Sequence, residues 1–292
     1  MRRSVAPVLV LAGFTLLALA PAASAGAPAL STVETTVTTA AGDATEAVVE
    51  CPRNTVALSG GTVATPDGLP AAESVPEGIH AWRFRFRPAD GEATVFVRCA
   101  RVRIPAFHRV RLRAATSKQT FGLPGTSGRS DDLSCRRGFA PTGYGWSVPG
   151  DGPERVFLTR VYTAGSGLEL GLRNFRASTG SLTVYARCLE RRTVARRGDS
   201  RMRHRFRLSR RSFAHDVDPA SIPSFDHRCP AGHASVTAGY SLPTDGSPVL
   251  GLGRLVGTRG GVWDFVNFGA SEERARSHLT CLSVRTRFKQ QG

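Results

Sequence analysis

Lysine is nearly missing from this chain. Of 39 basic residues only Lys118 and Lys289 are not arginine, so almost every positive charge is a planar guanidinium that stays protonated at physiological pH. CxxC pairs are absent too, which argues against zinc ribbons and dithiol redox sites and leaves six cysteines for another purpose. Beyond residue 20 no apolar run approaches the roughly 20 residues of a membrane helix, so no membrane insertion is expected. No window shows a sustained helical period with caps, which excludes a helical bundle. GxSxG, HExxH, a phosphate-cradling glycine loop and a dinucleotide fingerprint are all lacking, so the expectation is no enzyme, no cofactor and no metal.

What the chain does contain is a repeat. Cys51, Cys135 and Cys229 each open a unit that Cys99, Cys188 and Cys281 close. An Asp-Gly pair falls at plus sixteen from every opening cysteine (Asp67-Gly68, Asp151-Gly152, Asp245-Gly246), reading as a tight reversal between strands. A phenylalanine falls at minus thirteen from every closing cysteine: Phe86, Phe175 and Phe268, the last two preceded by Asn174 and Asn267. Three residues after each opening cysteine stand Asn54, Gly138 and Gly232, the types that tolerate positive φ, so one left-handed turn is expected three times. The closing segments Ala93–Cys99, Ser181–Cys188 and Ser277–Cys281 read as half-buried strands. The expected fold is all-β: three tandem antiparallel units, each framed by a disulfide, over residues 26–105, 106–196 and 197–292.

Residues 1–25 have a charged start, an apolar run from Val8 to Ala20 and the small-residue site Ala23-Ser24-Ala25, which reads as a secretory signal cleaved after Ala25. The remaining protein is expected outside the cytoplasmic membrane, where disulfides persist. Six cysteines allow 15 pairings. Only pairing within units gives three equivalent copies, so the expected bonds are Cys51–Cys99, Cys135–Cys188 and Cys229–Cys281. Each closes a loop worth about 4 kcal/mol in the chain-entropy account.

The run Cys-Pro-Ala-Gly (Cys229 to Gly232), the Gly-Tyr pairs Gly143-Tyr144 and Gly239-Tyr240, Trp263-Asp264-Phe265 and Tyr185-Ala186-Arg187-Cys188 resemble the secreted β repeats common in actinobacterial exported proteins. A looser likeness is to the vitelline membrane outer layer protein family, which implies three Greek-key sheets closing into a prism. The period here is longer, 84 and 94 residues between opening cysteines, and Arg136 stands where unit two would have proline. Whether the units stack in a line or close into a ring is left open.

Charge is concentrated rather than spread. Without Arg2 and Arg3 the chain carries 37 basic and 23 acidic residues, and residues 100–134 and 189–228 together hold +11 of the net +14. There the arginines alternate: Arg109, Arg111, Arg113, then Arg201, Arg203, Arg205, Arg207 with Met202, His204 and Phe206 between them. A strand with this pattern shows one arginine face and one mostly apolar face. Arg83, Arg85 and Arg87 repeat the device around Phe84 and Phe86, and Glu34 is expected to pair with such a stripe in another unit.

Arginines about 6.6 Å apart along a strand suit the phosphates or carboxylates of a repeating polymer. The seven connector arginines are therefore the candidate polyanion site, and an anionic cell-wall polymer or extracellular polysaccharide the expected partner, with weak nonspecific nucleic-acid binding besides. Trp146, read as a turn residue, is the candidate for stacking on a sugar, while Trp82 and Trp263 are expected in the core. His215, Asp216, Asp218, Asp226 and His227 form the densest cluster of possible ligands and are expected in an ordered polar loop; the remaining histidines are expected at surfaces or turns. Two alternatives accompany the binding reading: a structural or protein-interaction component of the cell surface, and an extracellular hydrolase using the His215–His227 segment.

Overall fold

Six strands in each unit fold into two small facing sheets, with the disulfide running from the turn before the third strand to the sixth. The computed structural model describes residues 29–63, 71–101, 112–148, 156–197, 200–243 and 249–290. The expected signal segment and all three Asp-Gly pairs lie outside the described residues. Unit 1 contains β1 (Ala29–Thr39), β2 (Thr45–Glu50), β3 (Val56–Val63), β4 (Ala71–Glu77), β5 (Ala81–Phe86) and β6 (Gly91–Arg101). Unit 2 contains β7 (Ala114–Leu123), β8 (Gly128–Ser134), β9 (Phe139–Ser147), β10 (Val156–Ala164), β11 (Gly167–Asn174) and β12 (Gly180–Glu190). After β13 (Arg192–Arg197), unit 3 contains β14 (Ser200–Val217), β15 (Ser224–Arg228), β16 (Ala234–Ser241), β17 (Val249–Val256), β18 (Gly260–Asn267) and β19 (Glu273–Gln290). The described residues contain no helix.

In every unit the first, sixth and third strands pair antiparallel, and the second, fifth and fourth pair separately. The expected disulfides are present, Cys51–Cys99, Cys135–Cys188 and Cys229–Cys281, with Cα–Cα separations of 5.6, 5.8 and 5.7 Å. Asn54, Gly138 and Gly232 have φ of 65°, 87° and 75°, so the left-handed turn is made three times. A β-bulge with no cue in the repeat pattern also recurs. Seven residues past each opening cysteine, Leu58, Thr142 and Val236 drop out of the ladder to the sixth strand.

The sheets are built by alternation. In β5 the side chains of Trp82, Phe84 and Phe86 are fully buried while Arg83 and Arg85 face outward. Trp263 does the same in unit 3 and donates Nε1–H to Gly239 O at 2.6 Å. Gly60 lies under Trp82, where an added Cβ would meet the indole at 2.4 Å.

The sixth strands break the alternation because both their faces are covered. In β6 the side chains of Val95, Val97 and Cys99 enter the unit 1 core, whereas Phe96 packs in the unit 3 core. The same outward face of β12 sends Arg187 into unit 1, donating Nε–H to Ala57 O at 2.8 Å and Nη1–H to Gly78 O at 2.7 Å. In β19 the matching face meets unit 2: Thr280 Oγ1 lies 2.7 Å from Thr163 Oγ1, and the His278 ring 4.3 Å from that of Tyr162. Each unit thus touches both others. Short ladders β4–β9 and β10–β16 join neighbours, and Val56 and Leu58, Leu112 and Leu189, and Phe206 and Val236 form one apolar cluster drawn from all three units.

One expectation needs correction. The phenylalanine register is not one position: the ladders align buried Phe86 with Asn174 and Asn267, because the turn before β6 is one residue shorter, and Phe175 and Phe268 are exposed. The third and fourth strands that flank each Asp-Gly pair belong to different sheets.

Candidate polyanion-binding face

Strands β14 and β19 are each 18 residues long, against 11 for β1 and β6, so their paired ends project as an arm beyond the unit 3 sandwich. β13 folds back along the outer edge of β14. Within β14, Arg203, Arg205 and Arg207 are exposed while His204 and Phe206 are buried, which is the two-faced strand the alternation predicts. Phe206 anchors the arm beside Leu112 and Leu189. The guanidiniums are therefore held outward by apolar contacts beneath them.

The ladders then bring in arginines from both sides. Arg205 lies between Arg192 of β13 and Arg285 of β19, all three exposed. Arg203 stands opposite Arg287, and Arg201 opposite Arg196 and Lys289. Residues 192–207 and 284–292 hold ten basic residues and one acidic residue. Like charges directly opposite in a sheet are unfavourable, by roughly 0.5–1 kcal/mol per exposed pair before screening. Among the described residues no carboxylate lies within ion-pair distance of Arg192, Arg203, Arg205 or Arg285.

Unit 1 shows the opposite arrangement. The outward Arg83 is met by Glu46 at 3.5 Å, Glu73 at 2.7 Å and Glu77 at 3.4 Å, so this arginine is neutralised within its own sheet. The electrostatic neighbour of Glu34 is Arg98 on β6 of its own unit, not a stripe elsewhere. The two arginine-alternating strands thus differ in what faces them.

The other proposed site residues scatter. Arg109 and Arg111 lie outside the described residues; Arg113 is exposed, precedes β7, and its Nε lies 3.9 Å from Glu190. Trp146 is a strand residue, not a turn residue: half-buried in β9, opposite Ser74 across the unit 1–unit 2 junction, with the Tyr144 ring 6.3 Å away. Arg192 and Arg285 escaped the sequence reading, although the alternation Arg285, Arg287, Lys289 carried the same signal as β14.

The expected polar loop at 215–227 is largely strand, with β14 running to Val217 and β15 starting at Ser224. His215 and His227 point between the sheets and interleave with phenylalanines: His227 stacks on Phe213 at 3.6 Å and His215 on Phe225 at 3.8 Å. Their Nε2 atoms are 3.3 Å apart, and His215 Nε2 is 2.8 Å from Ser277 Oγ. Burial, then the neighbouring His227, lowers His215 to about 4; burial lowers His227 as well. Asp216 and Asp226 are exposed and approach Arg274 at 3.8 Å and Arg228 at 3.7 Å. Alternation along each strand thus separates the carboxylates from the imidazoles. Nor are the other histidines all superficial: His204 and His278 are buried.

These features define a disulfide-bonded, all-β protein with an arginine-rich arm. Three disulfides fit an extracellular protein, and no helix among the described residues is long and apolar enough to cross a membrane. Compared with known proteins, the chain matches no family model and no curated sequence.

Proposed function

We propose that this is an exported, non-enzymatic binding protein that holds an anionic polymer, of the cell wall or an extracellular polysaccharide, along the β13–β14–β19 arm. The row Arg192–Arg205–Arg285 carries the reading: three exposed arginines side by side on three strands, with no carboxylate within ion-pair distance among the described residues, and with Phe206 anchoring the other face of the middle strand in the core. Repulsion that the fold tolerates there is relieved when a polymer of phosphates or carboxylates lies across the rows, each guanidinium offering a forked donor pair. The rigid sheet fixes the donors beforehand, which lowers the entropy lost on binding.

Retention of the oxidised protein on immobilised polyphosphate or heparin is expected to fall as salt rises, since bound arginines displace counterions. Arg203→Glu with Arg205→Glu should abolish it at physiological salt while circular dichroism stays unchanged. Retention equal to the parent would overturn the assignment. Nucleic acid should be held weakly by the same face, through charge alone.

One observation favours an interaction role. Ile222 and Phe268 are 70% and 67% exposed on two loops joined by the bond from Asn267 N–H to Ser221 O at 3.1 Å. Sedimentation distinguishes this reading, which requires a stable oligomer that Phe268→Ser disrupts.

A further inference from the structure

One corner of the unit 3 core is polar where the other two units are apolar. The first-strand residue paired with the sixth position before the closing cysteine is Val37 in unit 1, Phe121 in unit 2 and His215 in unit 3. Two residues before the opening cysteines stand Val49, Leu133 and His227, and four before the closing cysteines Val95, Val184 and Ser277. All six apolar members are buried, so the fold itself does not call for imidazole or hydroxyl at these places. In unit 3 the three polar members meet: His215 Nε2 lies 3.3 Å from His227 Nε2 and 2.8 Å from Ser277 Oγ. Polar groups in a core cost free energy that apolar packing does not return, which marks the exchange as serving something other than stability.

The spacing of the two imidazoles suits a metal ion. A separation of 3.3 Å is long for a hydrogen bond, whose donor–acceptor distance runs to about 3.2 Å. Two nitrogens about 2.0–2.1 Å from zinc, at the tetrahedral angle, stand about 3.3–3.4 Å apart. Square-planar and octahedral centres hold neighbouring nitrogens at right angles, about 2.8–3.0 Å apart, so the pair fits zinc better than copper or nickel. The ring planes differ by 20°, so one point close to both planes can receive both in-plane lone pairs. Burial keeps both imidazoles in the neutral form that ligates. Zinc takes the place of the proton between the two nitrogens, each ring then keeping its hydrogen on Nδ1.

We propose that His215 and His227 together bind one zinc ion, which clasps β14 to β15 across the sandwich of unit 3. Ser277 Oγ stands beside the position, and solvent reaches it from the side where His227 and Phe213 are half-buried. Among the described residues no group of three or more histidine, cysteine or carboxylate side chains gathers, so two protein nitrogens and solvent make this a reversible site rather than a closed structural one. The sequence predicts no metal here because a spacing of twelve residues matches no ligand motif; the facing sheets bring the two rings together. The clasp is independent of polymer binding by the arm.

Equilibrium dialysis of the oxidised protein, free of any affinity tag, against zinc at neutral pH tests this. All six cysteines are in disulfides, so no thiolate competes for the ion. One equivalent of zinc should bind and raise the unfolding temperature by mass action. Cobalt, used as a coloured substitute, should show the intense visible bands of a four-coordinate ion. His215→Phe with His227→Leu installs the residues that unit 2 carries at these positions, so the variant should fold, and it should bind zinc about tenfold or more weakly. Arg203→Glu with Arg205→Glu should leave zinc binding unchanged. Failure of the parent to take up one equivalent, the faint spectrum of six-coordinate cobalt, or undiminished binding by the folded double variant overturns the proposal. The cobalt spectrum of the parent decides by itself if that variant does not fold.

Discussion

Arg98 and Arg187 occupy the same place, one residue before a closing cysteine, and both are buried. Burial lowers each to about 10, so both stay charged at neutral pH. Their partners differ. Arg187 satisfies carbonyls of unit 1 and also reaches Thr116 Oγ1 at 3.2 Å, whereas Arg98 Nε and Nη2 have no hydrogen-bond partner. Arg187→Met should therefore destabilise by about 3 kcal/mol or more, by leaving Ala57 O and Gly78 O unpaired, while Arg98→Met should be neutral or stabilising. Urea denaturation of the two variants checks the opposite outcomes. The sequence shows both arginines but not this asymmetry, because their partners come from another unit. Asn174 and Asn267 are a similar case. Each donates Nδ2–H to a carbonyl of the turn after its strand, Ser178 or Ser271, and to the last carbonyl of its unit's first strand, Leu123 or Val217, and accepts a backbone N–H at Oδ1, so Asn174→Asp should cost several kcal/mol by facing carbonyls with carboxylate oxygen.

At the scale of strands, the arm sets stability against binding. Arg205→Glu replaces two repulsive cross-strand pairs, with Arg192 and Arg285, by attractive ones, and should raise stability by about 0.5–1 kcal/mol while weakening retention on a polyanion. A loss of both would show that Arg205 serves packing. The histidines between the facing strands β14 and β15 carry a pH dependence of definite sign. Unfolded histidine takes up a proton near pH 6.5, but His215 is held to about 4, first by burial and then by the neighbouring His227, with Asp216 opposing. His278 behaves alike, held low first by burial and then by Arg210, Arg276 and Arg160, with Glu169 opposing. The unfolded state therefore binds more protons between about pH 6.5 and 4, and stability falls as pH falls through that window. His215→Phe should flatten the dependence measured by denaturant unfolding between pH 7 and 4.5; an unaltered slope would exclude this histidine as its source. The alternation of β14 was readable because period two survives wherever one face is buried, while the facing of Arg205 by Arg192 and Arg285 depends on ladder register, which pairs residues far apart in the chain.

For the molecule as a whole, the shared cluster of Val56, Leu58, Leu112, Leu189, Phe206 and Val236 makes the three units one cooperative body. A single calorimetric transition is expected. Phe96→Ala, which removes a unit 1 ring from the unit 3 core, should lower its midpoint, at a cost of about 3–5 kcal/mol, without splitting it. Separate transitions would mean that the units fold independently. The six cysteines and the recurring turn residues were enough by themselves to specify an all-β chain of antiparallel strands and its three bridges, since a disulfide, a left-handed turn and a half-buried strand are each local or one-dimensional signals. Only the tertiary structure decided how sixth strands reach into neighbouring units, why Phe86 aligns with Asn174, and that Arg205 stands between Arg192 and Arg285. Those outcomes rest on turn lengths, ladder register and contacts between units, and no periodicity within one strand records what packs against its far face.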